Sequence, residues 1–274
     1  MLRKPYLYIL AICFFCCEEA PDFGTGDSAD TPVVDIQTSE TTFTDFPIEI
    51  EWEGNTAARE FIYELQFVDD PSIPHSWSGS NTTNETSMTF DNLDEGSYTF
   101  SVQGLYNQDN IGDVVTLDFT VDVISGPSLR IYPLNQTANI GDEIDVYLYF
   151  EDVLEEFSVT GLHIDIQINS DELEFIRDQF ESGELIDSFP GTIYPNPSYS
   201  NDNSSVSIII GVVDDINQNG LGIYGTGSIA KIRLKVLTCC GGQNININQI
   251  DVLNFNGDPY NNFNDPVSGT VTVE

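Results

Sequence analysis

Positive charge is scarce in this sequence: eight Lys and Arg stand against 45 Asp and Glu over 274 residues, a formal net charge of −37. Nucleic acid and anionic lipid headgroups are held mainly by Lys and Arg, so neither is expected as a partner. Such a surface stays soluble by self-repulsion and suits divalent cations or a salty medium that screens it, an extracellular habit. Histidine is nearly absent as well, with His75 in a Pro-Ser-Ile-Pro-His loop and His163 on an alternating strand. No Gly-x-Ser-x-Gly elbow and no His/Cys cluster accompanies them, which leaves serine-hydrolase and zinc chemistry unsupported. Acids are so frequent that a pair at glycosidase spacing arises by chance, and no enzyme is expected.

Cysteine is sparse and crowded at one end: Cys13, Cys16 and Cys17 lie in CFFCCEEA, and only Cys239 and Cys240 follow. A fold stapled by disulfides is therefore excluded. The adjacent pair Cys239 and Cys240 reads as loop thiols or a strained disulfide, with a redox switch as the rarer reading. Long apolar runs are missing too. The longest, YLYILAICFF, is about half the length an α-helix needs to cross a bilayer. It follows Arg3 and Lys4 and precedes acids, the pattern of a cleaved secretory signal rather than a span.

Residues 18–32, EEAPDFGTGDSADTP, carry Gly, Pro and acid without apolar periodicity and read as a flexible tether reaching roughly 20 Å. Over the whole sequence 40% of the residues are apolar, enough for ordinary cores. From Val33 to about Ile124 the pattern is short period-two strands, with no helix of useful length. VVDIQT, PIEIEWEG, FIYELQFV, SMTF, SYTFSVQGLY and VVTLDFTVDV predict an antiparallel sandwich of about seven strands over 33–125. After the turn Ser125-Gly-Pro127, the segments SLRIYPL, EIDVYLYF, GLHIDIQIN, ELEFI, SVSIIIGVV, SIAKIRLKV, NINI and GTVTVE predict a second all-β domain over 126–274.

Three local patterns bear on function. Asp215-Ile-Asn-Gln-Asn-Gly220 matches the first half of a calcium loop, with Asp215, Asn217 and Asn219 as oxygen donors and Asp214 beside them. The twelfth position is Thr226 and no helix follows, so a calcium-dressed loop and an ordinary Asx-rich turn both stand. Gly220–Gly225 matches GxGxxG by accident, because a β-alternating run follows it. Lys231, Arg233 and Lys235 share one strand face, which reads as cross-strand pairing with acids or as a docking site.

Resemblances sharpen this picture. CFFCCEEA is similar to a bacterial lipobox, with Cys17 the lipidated residue and 1–17 the lipoprotein signal; Phe14 and Phe15 depart from the usual residues, and ordinary cleavage near Ala20 is the alternative. Glu18 and Glu19 resemble the acidic tail of surface-exported lipoproteins, which implies a lipid anchor on the extracellular face of the outer membrane. Asp27-Ser28-Ala29 resembles an O-glycosylation acceptor of secreted proteins. Trp52, sharing a strand face with Ile48 and Ile50, and Tyr98, two residues past the turn glycine, resemble the core indole and tyrosine corner of fibronectin type III and immunoglobulin-like modules. From 126 to 274, Asn139-Ile-Gly-Asp142 before an alternating strand, then GLHIDIQINSDELEF, a long irregular stretch, VSIIIGVVDD, GTGSIAKIRL and a closing GTVTV resemble a cohesin domain, which implies a nine-stranded jelly-roll sandwich.

That resemblance implies a partner surface on one sheet. On GLHIDIQIN, Leu162, Ile164, Ile166 and Ile168 turn inward and His163, Asp165, Gln167 and Asn169 outward. On SVSIIIGVV, Ile209 and Val213 face out, giving an apolar patch rimmed by His163, Asp165 and Gln167 unless a loop, the first domain or 178–203 covers it. The expected function is non-catalytic: docking of a dockerin-like or other protein module, in connection with polysaccharide degradation. Carbohydrate binding through Tyr194, Tyr199 and Tyr260, and an adhesion or structural spacer, are the alternatives.

Overall fold

The computed structural model describes residues 30–69, 79–107, 110–190, 192–213, 222–238, 241–254 and 256–274. Cys17, the sugar-acceptor tripeptide, His75, the Asp215, Asn217 and Asn219 loop and the Cys239–Cys240 pair lie outside these residues. The fold is all-β. The first nine strands are β1 Val34–Ile36, β2 Thr42–Phe43, β3 Ile48–Gly54, β4 Glu60–Phe67, β5 Ser80–Thr83, β6 Ser87–Phe90, β7 Gly96–Asn107, β8 Asn110–Ile111 and β9 Val115–Val121. They form a three-stranded sheet, β1-β3-β6, against a second sheet, β2-β9-β7-β4-β5, with β8 on β7.

The reason is visible in β3 and β7, whose alternate residues are buried while their neighbours face water. Period-two burial is what a strand with one covered face requires. Trp52 is only 1% exposed and packs between Phe61 and Phe100, ring centroids 5.8 and 5.6 Å away. The Tyr98 hydroxyl donates to the Asp94 carbonyl at 2.9 Å, so the corner expected at this tyrosine is formed. Chain entry and exit lie at opposite ends. Val33 is tied to Asn55 beside the Glu60↔Leu105 end of the β4–β7 ladder, whereas β9 leaves beside the Phe67↔Tyr98 end. Eight ladder residues separate the two ends, about 25 Å at the usual strand rise.

The remaining strands are β10 Ser128–Tyr132, β11 Asn135–Ala138, β12 Glu143–Val153, β13 Val159–Gln167, β14 Leu173–Phe175, β15 Glu181–Ser182, β16 Thr192–Tyr199, β17 Ser205–Val213, β18 Gly225–Val236, β19 Gly241–Asn254 and β20 Gly269–Val273. One sheet runs β10-β12-β18-β14, with β15 on β18; the other is six-stranded, β11-β20-β19-β13-β17-β16. Ile164, Ile166 and Ile208 of the second sheet and Val146, Leu148, Ile232 and Leu234 of the first join in one core. Each such side chain contributes about 1.5–3 kcal/mol by leaving water. Among the described residues this sandwich has eleven strand segments, counting two- and three-residue ones such as β15 and β14 that also pair.

The stretch 178–203, expected to be irregular, holds an ordered edge strand. β16 pairs with β17 along its whole length, from Thr192↔Val213 to Tyr199↔Val206. Its sequence TIYPNPSY hides this because Pro195 and Pro197 read as loop. A proline lacks the N–H a ladder needs, so the two fit a strand only at an edge with that position turned outward. The same prolines leave β16 unable to pair with a further strand there.

Candidate functional site

The six-stranded sheet presents its outer face as a series of cross-strand rows. The ladders place Asn196, Ile209, His163 and Asp251 in one row across β16, β17, β13 and β19. The neighbouring rows are Tyr194, Gly211, Gly161 and Leu253, and then Ser198, Ser207, Asp165 and Gln249. Opposite residues in a row stand about 5 Å apart, close enough to act as one surface. Of the anticipated partner-binding residues, His163, Asp165 and Ile209 therefore converge, and Gln167 adjoins them opposite Ser205. Val213 ends β17 on the same register, and its side chain lies outside the described atoms.

The face is uncovered among the described residues. Ile209 is 52% exposed and Tyr194 is 62% exposed, although both lie on paired strands. Leu253 is also exposed, and it borders Gly161, where an added Cβ would sit 3.1 Å from a Leu253 methyl. Above Gly211 a Cβ would meet nothing within 4 Å. The two glycines thus make a shallow floor between Tyr194 and Leu253, with Ile209 as its inner wall. Neither Tyr194 nor Leu253 belonged to the expected patch of Ile209 and Val213. Tyr194 lay in the stretch read as loop, and Leu253 became visible only through the β13–β19 register.

Polar groups form the rim. His163 Nδ1 lies 3.1 Å from Asp251 Oδ2, and Nε2 lies 2.9 Å from Ser207 Oγ and 3.2 Å from Asp165 Oδ1. The imidazole hydrogen bond, with help from Gln249, holds the Asp251 carboxyl below the ordinary carboxylate range. Asn248 donates to Gln167 Oε1 at 2.5 Å, from the point where the β13–β19 register shifts. That shift is a bulge, which turns both Asn248 and Gln249 toward water.

Ser207, His163 and Asp251 have the atom order of a hydrolase triad. Two features oppose catalysis. Asp165 faces the same Nε2 that would have to accept the serine proton, so the ring is held between two carboxylates. Ser207 also lies on an interior strand paired on both sides, and its neighbouring amides are spent in the ladders rather than gathered for an oxyanion.

The other candidate features separate. Arg233 meets Asp145 bidentately, Nε–Oδ1 2.5 Å and Nη2–Oδ2 2.9 Å, and Lys231 reaches Glu181 at 2.7 Å. The Arg233 hydrogen bonds lower the Asp145 pKa, with the nearby Lys231 charge acting in the same direction. Pairing therefore accounts for Lys231 and Arg233. Tyr149 carries the guanidinium of Arg130, 4.4 Å from its ring centroid. The three tyrosines weighed for sugar binding form no common platform. Tyr194 faces out from the sheet, Tyr199 packs on Phe175, and Tyr260 lies between Phe157 and Phe263.

No protein-family model matches the sequence, and no curated protein matches it. Similar solved structures each cover about half of the chain. A type I cohesin–dockerin complex from Clostridium thermocellum is 17% identical over 54% of this chain and 91% of its own, with a TM-score of 0.43. A non-cellulosomal cohesin from Archaeoglobus fulgidus is 16% identical over 54% and 90%, TM-score 0.40. A type II cohesin domain from Acetivibrio cellulolyticus is 14% identical over 53% and 94%, TM-score 0.45. The two-sandwich, all-β architecture rests on the strand order and register above.

Proposed function

We propose that the C-terminal sandwich is a non-catalytic docking module that captures another protein on the outer face of its six-stranded sheet. The observation that supports this most is Ile209, half in water on a strand that is paired on both sides, with Tyr194 and Leu253 exposed around two glycines. An apolar floor with a polar rim is how protein-binding surfaces are built. Asp165 and Asp251 favour a partner that brings a basic side chain beside its apolar one. A dockerin-like module, implied by the cohesin resemblance of GLHIDIQINSDELEF and its flanks, is the first partner to test.

The N-terminal sandwich then acts as a spacer, since chain entry and exit lie at its opposite ends. Lipidation at Cys17, exposure on the outer membrane and work alongside polysaccharide-degrading enzymes belong to the same proposal. The test is titration of purified dockerin-like modules into the full chain, with calcium and with chelator. A bound module whose affinity falls at least about 30-fold in Ile209→Asp, the loss of a central contact of about 2 kcal/mol, supports the reading. Unchanged affinity in that variant removes this face from the proposal. Retention on insoluble polysaccharide that is lost in Tyr194→Ala would transfer the face to glycan binding.

A further inference from the structure

The two sandwiches, both within the compact unit Thr31–Glu274, meet over buried charges. The turn between β6 and β7 supplies Asp94, 1% exposed, and its neighbour Glu95; β10 supplies Arg130, 3% exposed; β12 supplies Glu151, 8% exposed. Asp94 Oδ1 accepts the Leu134 N–H of the second sandwich at 2.5 Å, and Asn135 Nδ2 donates to the Asn92 carbonyl at 2.5 Å. Glu95 Oε1 accepts two N–H groups of the connecting segment, Val123 at 2.8 Å and Ile124 at 2.6 Å. Arg130 Nε donates to Glu151 Oε2 at 2.8 Å, while its Nη1 stays 3.9 Å from Asp94.

We propose that this junction is a proton-operated joint: with Asp94 and Glu95 protonated it holds the sandwiches in one orientation, and with both ionised it loosens. The charge count carries the argument. Three carboxylates surround one guanidinium, and a buried carboxylate without a full partner carries a large desolvation cost. The hydrogen bonds already leave room for the protons. Both amides bind Oε1 of Glu95, and Asp94 Oδ2 is buried without a hydrogen-bond partner, so each carboxyl can gain a proton on its other oxygen without giving up its backbone bond. The other titratable groups near the joint are acids or phenols: Asp152 beside Glu151, Asp69 and Glu184 toward Tyr149, and Tyr98, Tyr132 and Tyr149 themselves. Arg130 is the one cation acting on Asp94 and Glu95 among the described residues.

Burial raises the Asp94 pKa to about 6 and the Glu95 pKa to about 7, against backbone hydrogen bonds that lower both. Burial raises Glu151 as well. A carboxyl whose pKa is higher when the joint is closed binds its proton more tightly there. Closure is therefore favoured in acid and is lost progressively from the ordinary carboxylate range, near pH 4, up to about pH 7.

The experiment is NMR on the full chain from pH 4.5 to 7.5, reading the side-chain carboxyl titrations and the exchange protection of the Ile124 and Leu134 amides. The joint predicts carboxyl midpoints near 6 and 7, and a fall in protection of at least about tenfold between pH 5 and 7, corrected for intrinsic exchange. The Ile164 amide, far within the other core, should not follow. Glu95→Gln, which keeps the acceptor oxygen, should hold Ile124 protected throughout; Asp94→Asn should do the same for Leu134. Midpoints in the ordinary range, pH-independent protection, or an equal fall at Ile164 would each overturn the proposal.

Discussion

The Tyr98 hydroxyl donates to the carbonyl of Asp94, four residues upstream, at 2.9 Å while its ring stacks on Phe119 with centroids 5.4 Å apart. One side chain thus fixes the turn that presents Asp94 to the second sandwich. Tyr98→Phe keeps the stacked ring and leaves a buried carbonyl unpaired. It should destabilise the fold by about 1–2 kcal/mol in urea unfolding, and weaken Leu134 amide protection in parallel.

Arg233 and Asp145 form a half-exposed bidentate pair across β12 and β18. A double-mutant cycle with Arg233→Met and Asp145→Asn should give a coupling of about 1 kcal/mol or less, shrinking in 1 M salt because water still reaches both groups. The Asp145 pKa is lowered in the fold. Its contribution is therefore complete above the unfolded carboxylate pKa and is lost as pH falls through the lower folded value. This acid limb runs opposite to the joint, and the cycle repeated at pH 3 should show the coupling reduced.

Two glycines of the second sandwich should respond in opposite ways to alanine. Gly211 on the docking face has open space above it, so Gly211→Ala should change stability by less than about 1 kcal/mol and report on partner binding alone. Gly183 would place a Cβ 2.3 Å from the Ser228 backbone. Gly183→Ala should cost about 1–3 kcal/mol, read as a lower urea midpoint, because β18 cannot yield without disturbing its pairing with β12.

Cys17→Ser should abolish incorporation of a labelled fatty acid in the producing cell and release the protein from the membrane fraction. Labelling that survives this change would exclude Cys17 as the anchor.

The sequence by itself determined the face each strand buries. Ile164, Ile166, Ile208 and Trp52 are inside, and His163 and Ile209 outside, because period-two alternation leaves a strand one way to bury its apolar half. Alternation says nothing of which strands become neighbours. Only the tertiary structure brought Leu253 beside Gly161, aligned Asp251 with His163, and made an edge strand of the proline-bearing TIYPNPSY. Asp94 and Glu95 likewise looked like ordinary acids in a turn. Their environment is set by Leu134 and Arg130 at Asp94 and by the Val123 and Ile124 amides at Glu95, about thirty to forty residues away, and a buried charge is defined by what surrounds it rather than by its neighbours in the chain.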